Sequence, residues 1–104
     1  MTVSALLSVA PATEGSMAKE VAKAIDALEE FDVSYETNPM CTVIEAENVE
    51  EVFAAAEAAH SAVNSDRVST FLKVDDKRTS DENAMEKVRS VERELGREAR
   101  NSRY

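Results

Sequence analysis

Two segments of this chain alternate as β-strands do, yet neither divides into one apolar face and one fully charged face. In Arg67 to Asp75, RVSTFLKVD, the residues Val68, Thr70, Leu72 and Val74 fall on one side and Ser69, Phe71, Lys73 and Asp75 on the other. The segment from Asn38 to Glu45, NPMCTVIE, has the same mixed character. Successive side chains of a strand point to opposite faces, so a face combining an aromatic, a hydroxyl and charges is only partly suited to water. Spacing leaves two readings open: a face that meets a partner subunit or a small polar ligand, or an ordinary amphipathic strand with one exposed Phe.

The rest of the chain supplies companions for these strands. Thr2 to Ala10 sets Val3, Ala5, Leu7 and Val9 at period two, with Ser4, Leu6 and Ser8 opposite. Pro11 ends that strand, and a linker leads to Ser16, read as the N-cap of a helix carrying Met17, Val21, Ile25 and Leu28 and stopping near Phe31 to Asp32. Two short strands, VSYETN from Val33 and TVIEAE from Thr42, surround a turn of Pro39, Met40 and Cys41. Asn48 opens a second helix, with Glu51 three residues on in a capping arrangement. Its inner stripe reads Val49, Val52, Phe53, Ala56, Ala59, His60 and Val63. After the strand from Arg67, Ser80 is expected to cap a third helix with Met85, Val88, Val91 and Leu95, closed by Gly96.

The order βαββαβ plus a C-terminal helix specifies an α+β, ferredoxin-like fold: a four-stranded antiparallel sheet with two helices on one face. Right-handed crossovers lead to the expectation that the first and fourth strands lie in the centre. Leu6 and Phe71 would then lie on the helix-free face, to be covered by another copy. The 104 residues form one domain over residues 1–96, with 97–104 a flexible basic tail.

A formal net charge of -9, from 21 acidic and 12 basic residues, argues against nucleic acid and against an anionic membrane surface as partners. Such self-repulsion suits high salt, so a salt-adapted source stands beside an ordinary acidic cytosolic protein as a reading. The apolar stretch from Val3 to Ala12 is too short to span a bilayer and lacks the basic start of a secretory signal. The expectation is a soluble, cytoplasmic protein.

Catalytic constellations are not found. His60 falls on an apolar stripe and reads as a packed, hydrogen-bonded histidine. Cys41 has no basic neighbour in sequence to activate it, and Ser16 no adjacent base. With two glycines in the whole chain there is no phosphate-cradling loop. Asp75 and Asp76 read equally as a turn or a divalent-ion site. Glu45, in a strand where Glu is disfavoured, is either solvated at an edge or held to meet a cation or an amine. The chain is therefore expected to be no enzyme and to need no cofactor or structural metal.

Pro11 and Ser16 ahead of a helix, NPMCTVIE in the hairpin, a helix ending in His60, RVSTFLKVD, and KVRSV from Lys87 to Val91 occur together in this order. In this the chain resembles the small YkoF-like, MTH-type thiamine-binding protein family over nearly its whole length. It departs from the usual pattern at Cys41, where glycine is common after the methionine, and at Asn38, where histidine often precedes the proline. The resemblance implies the ferredoxin-like fold, assembly into homodimers or homotetramers through the sheets, and non-catalytic binding of thiamine or a related pyrimidine. It implies a site of Ser16, Asn38, Met40, Thr42 and Glu45, with Glu45 facing the thiazolium cation or accepting from the amine and Met40 lying against a ring. The alternative is an oligomeric interaction or regulatory module with no small ligand.

The charge balance generates a direct expectation. The Debye length falls from ~10 Å at 0.1 M salt to ~3 Å at 1 M, so added potassium chloride should raise the thermal midpoint steadily. A flat or falling midpoint in calorimetry across that range would remove the case for salt adaptation.

Overall fold

The computed structural model, which describes residues 2–12 and 14–99, has strands in each alternating segment, with Asn38 to Cys41 forming the hairpin turn ahead of its strand. β1 spans Val3–Pro11, β2 Ser34–Thr37, β3 Thr42–Ala46 and β4 Val68–Asp76, while α1 (Ala18–Ala27), α2 (Val49–Ala62) and α3 (Ala84–Leu95) are helical. A single turn of 3-10 helix, Leu28–Glu30, ends α1 where the sequence predicts a stop. The antiparallel sheet has the order β2-β3-β1-β4. This α+β arrangement is the expected ferredoxin-like fold.

The strand order corrects one expectation. β1 and β3 are central, and β4 is an edge. The crossover through α1 leaves a vacant position beside β1. The β2–β3 hairpin fills it with β3, pairing Ala5 with Ile44 and Leu7 with Thr42. α2 then returns the chain to the far side of β1, where β4 pairs along its length from Val3↔Asp76 to Pro11↔Val68.

The core lies between one sheet face and the pair α1, α2. Val3, Ala5 and Leu7 of β1 and Ile44 of β3 are buried against Ala24, Leu28, Val52, Ala55, Ala56, Ala59 and Val63. Alanines at the contact let helix backbones approach the sheet closely, which suits a chain without Trp. The inner stripe of α2 is rotated from the expected one. Phe53 is 54% exposed and His60 is exposed, and Ala55 takes the inner place. At about 100° per residue, positions 53 and 60 sit together on a flank of the buried 52–56–59–63 row. That flank faces β4, where His60 Nδ1 lies 2.5 Å from the Thr70 hydroxyl.

Capping follows the sequence for α2 and α3's end, and differs at two starts. Asn48 Oδ1 accepts from the Glu51 N–H at 2.9 Å. Gly96 closes α3 in the left-handed conformation, φ 71°, its N–H donating to the Glu92 carbonyl at 2.9 Å. Met17 rather than Ser16 is the N-cap of α1, although the Ser16 hydroxyl accepts from the Ala18 N–H at 3.2 Å. Asn83 rather than Ser80 precedes α3, with Ser80 accepting from the Glu82 N–H in the loop before it. Serine hydroxyls bond nearby backbone in turns as readily as at caps. Of the expected tail, residues 100–104 lie outside the described residues, and Ala99 donates its N–H to Glu92 Oε2. No helix among the described residues is long and apolar enough to cross a membrane.

Ile44, completely buried at the centre of the sheet, should be costly to truncate. Ile44→Ala is expected to lower unfolding free energy by about 2–5 kcal/mol, and Asn48→Ala by about 1 kcal/mol, in urea titrations.

Candidate ligand cleft

The β2–β3 hairpin takes its shape from Asn38 and Pro39. A residue before proline is driven to extended backbone, and an asparagine there can fold its side chain back over the turn. Asn38 Oδ1 accepts from the N–H groups of Met40 (2.9 Å) and Cys41 (3.0 Å), while the Asn38 N–H donates to the Cys41 carbonyl at 2.8 Å. This closed turn holds Met40 outward, 83% exposed. Just inside it, Thr37 and Thr42 face each other across the strands with their hydroxyls 3.0 Å apart, and Thr42 is only 3% exposed.

A cleft of about 220 Å³ opens beside this hairpin. Its floor is the stretch from Leu7 to Ala10 of β1, its first wall the hairpin from Thr37 to Thr42, and its second the length of α1 with Met17, Val21 and Ile25. Among the described residues, no acidic or basic side chain lines it. The cleft therefore offers apolar walls, the polarisable sulfurs of Met17, Met40 and Cys41, and a small set of hydroxyl and amide groups at one end. That combination suits a flat, neutral ring carrying hydrogen-bond donors and acceptors.

Three of the five residues expected in one pocket meet here: Asn38, Met40 and Thr42. Ser16 lies outside the lining, one residue before Met17, with its hydroxyl engaged by Ala18. Glu45 is on the other face of the sheet. It is an odd number of positions from Thr42, and alternation sends the two side chains apart. The expectation of one pocket shared by all five is thus corrected by strand parity. Asp75 and Asp76 separate in the same way. Asp75 pairs with Lys87 and Asp76 with Arg78, so they do not converge on one ion. Among the described residues no cluster of three or more His, Cys, Asp or Glu is placed to hold a metal.

Thr37, Met17, Val21 and Ile25 are lining residues that the sequence reading did not assign. Thr37 was legible as the residue opposite Thr42 once the two-strand hairpin is drawn. The helical residues carry the same apolar spacing as any core stripe, and nothing in sequence marks them as open to a ligand.

Glu45 instead holds α3. Its Oε2 accepts from the Ala84 N–H at 2.7 Å, at the positive end of the helix. The Lys87 ammonium pairs with Asp75 from the same helix, and this hydrogen bond, then the lysine charge, keeps the Asp75 carboxyl below its ordinary value. Between α3 and the strands lies a second cavity of about 520 Å³, bordered by Tyr35, Glu36, Val43, Glu45, Met85 and Val88. It is larger than the first and more open to solvent, and its Glu45 carboxylate is already bonded.

Comparison with known proteins finds relatives of the same fold. The family model described as "Thiamine-binding protein" matches residues 5–92. A UPF0045 protein of Methanothermobacter thermautotrophicus is 43% identical over 83 residues, covering 77% of this chain and 84% of that protein. The crystal structure of MJ1052 from Methanocaldococcus jannaschii superposes with a TM-score of 0.80 at 34% identity, covering 86% of this chain and 95% of that one. A Thermotoga maritima protein provisionally named for thiamine biosynthesis or salvage shares the fold, with TM-score 0.75 at 24% identity over 88% of this chain and 99% of its own.

Removing the Glu45 charge should loosen α3 without touching the cleft. Glu45→Gln is expected to cost about 1 kcal/mol in urea unfolding and to speed amide exchange at Ala84 to Glu86. Acid should act similarly through Asp75. A carboxyl lowered on folding contributes stability that is complete above its ordinary value of 3.8 and is lost as pH falls through the lower folded value. Exchange at α3's first turn should therefore accelerate below that pH in the wild type, and much less in Lys87→Ala.

Proposed function

This chain belongs to the thiamine-binding protein family, and we propose that it binds thiamine or a related pyrimidine reversibly, without catalysis, as a cytoplasmic homo-oligomer. The observation carrying the reading is the uncharged cleft, in which the Thr37–Thr42 hydroxyl pair and the Asn38 amide border methionine and aliphatic walls. An aminopyrimidine has an exocyclic amine donor and ring-nitrogen acceptors on an apolar plane, the complement of that lining. The thiazolium half is a permanent cation, and the cleft gives it no carboxylate. The pyrimidine therefore enters and the thiazolium stays toward solvent, where the net charge of -9 still favours a cation over a phosphate ester. Glu45, on the other face, is not its counter-charge in this arrangement.

An interaction module without a small ligand is the second reading. It draws on Phe71, 60% exposed on the sheet face away from α1 and α2, and on α3 on that same face, whose apolar stripe is largely uncovered.

Calorimetric titration at high salt separates the two. The free pyrimidine alcohol and thiamine are expected to bind comparably, and thiamine phosphates more weakly. Thr42→Val, which keeps shape and deletes the hydroxyl, should cost about 1–3 kcal/mol of binding, and Glu45→Gln should leave affinity unchanged. Absence of heat with every ligand would favour the interaction module. A loss confined to Glu45→Gln would move the ligand to the cavity beneath α3.

A further inference from the structure

The groups at the polar end of the cleft differ in how firmly their hydrogen-bonding sense is fixed. The Thr37 and Thr42 hydroxyls lie 3.0 Å apart, and either can donate to the other. One proton is spent between them, so the pair keeps one proton to donate and lone pairs to accept. It can meet an amine or a carbonyl equally well. Asn38 has no such freedom. Its Oδ1 accepts two backbone N–H groups, from Met40 at 2.9 Å and from Cys41 at 3.0 Å. Turning the amide over would set its NH2 group against both donors, so the turn itself fixes which way the amide points. What remains is Nδ2, a donor with no acceptor capacity, and among the described residues it has no hydrogen-bond partner. Asn38 lines the cleft together with both threonines.

We propose that Asn38 is the specificity-determining residue of the cleft: its locked amide offers donors only, so the cleft takes a ring with a bare nitrogen at that edge and rejects the same ring once that nitrogen is protonated. The inference rests on the ligand reading above and deepens it, by assigning the protonation state of the bound ring and the residue that selects it. A neutral ring nitrogen accepts from Asn38 Nδ2, while the exocyclic amine donates to the threonine pair. Protonation reverses the first of these. A ring N–H would then face an N–H, and both donors would go unpaired between the apolar walls of Leu7, Val9, Val21 and Ile25. Nor does the cleft hold a counter-charge for the cation. Among the described residues the Cys41 thiol is the only titratable group in the lining. Glu36, beside Thr37 on β2, points to the opposite face of the sheet. Glu20 on α1 is engaged by Lys23 and by the Asn64 N–H. With the threonines neutral in sense and no charge at hand, the one group of fixed polarity decides. Binding is therefore coupled to pH through the ligand's own ring.

The test is calorimetric titration of the full chain with the free pyrimidine alcohol, which carries no permanent charge, from neutral to mildly acidic pH. High salt screens the protein's own net charge. Wild-type affinity should fall as pH drops through the ligand's ring pKa. Asn38→Asp is the discriminating variant. It keeps an oxygen for the Met40 and Cys41 N–H groups, so the circular dichroism should be retained, and it exchanges the donor for an acceptor. Its affinity at neutral pH should fall about tenfold, the effect of one lost hydrogen bond. On acidification it should rise rather than fall, until the introduced carboxylate itself protonates. Parallel pH profiles in the two proteins overturn the inference, because a residue that only shapes the turn changes affinity without changing its slope. A second measurement uses the wild type alone, with the two analogues in which CH replaces one or the other ring nitrogen. One of them should bind about tenfold more weakly than the parent, and equal binding of all three overturns the inference. Failure of the ligand reading looks different. No heat from the pyrimidine alcohol at any pH removes the site and this assignment together, whereas binding with the wrong pH slope removes only the role of Asn38.

Discussion

Everything in this molecule is positioned by the pairing of β1 with two strands at once. Val3, Ala5 and Leu7 are buried under the helices while their backbones bond β3 on one side and β4 on the other. Such a strand has its polar backbone satisfied and its apolar face dry, and it shares that condition with the shorter β3 beside it. α1 and α2 are the crossovers that this pairing demands, and they are held against the sheet by the same row of small residues. Glu20 links them further: its carboxylate accepts from the Asn64 N–H at 2.7 Å and meets Lys23 at 2.9 Å, which lowers its pKa, chiefly through the lysine hydrogen bond.

Strand parity then divides the sheet into two chemically different faces. Thr37 and Thr42 fall on the helix side and open into the cleft beside α1. Glu36, Glu45, Lys73 and Asp75 fall on the other side, where Glu45 and Asp75 hold the first turn of α3. The division is absolute, because a one-residue offset moves a side chain through the sheet. A carboxylate three positions along β3 from Thr42 is thus adjacent in sequence and inaccessible to the same ligand. The cleft on one face is uncharged, while Glu45 and the Asp75–Lys87 pair lie on the other.

Much of this was legible in the sequence. The alternation of β1 and β4, the Asn48 cap, the Gly96 stop and the βαββαβ order each follow from local chemistry that tertiary structure left unopposed. What failed needed information that a local pattern lacks. The position of β4 depends on where β3 inserts, a long-range choice that the right-handed crossover rule alone leaves open. Phe53 and His60 were assigned inward because a seven-residue spacing fits either flank of an apolar stripe, and only the sheet's position selects Ala55 instead. Three residues of the cleft were legible because the hairpin builds them locally. Glu45 lies on the opposite sheet face from these three, a separation already implied by its three-residue distance from Thr42.

α3 shows how far the monomer alone accounts for its own structure. It has twelve residues and none is buried. A helix of that length is marginal in water, and the nucleation cost must be offset by packing, capping or side-chain pairs. The last two are present: Gly96 ends it, Glu45 bonds its first amide, and Glu86 pairs with Arg89. Pairs of that kind contribute a few tenths of a kcal/mol each, which is too little for the whole helix. Met85, Val91 and Leu95 are about half exposed, and the half-buried Val88 completes their stripe. Apolar cover is the missing contribution, and the helix lies on the face where Phe71 also lacks it. The same physics that leaves β4 with an unmatched edge leaves this helix with an unmatched stripe. A small core built without Trp and largely from alanine and valine has little surplus to sustain either by itself. In the proposed homo-oligomer, association would therefore enter the folding energetics beside whatever it adds to binding.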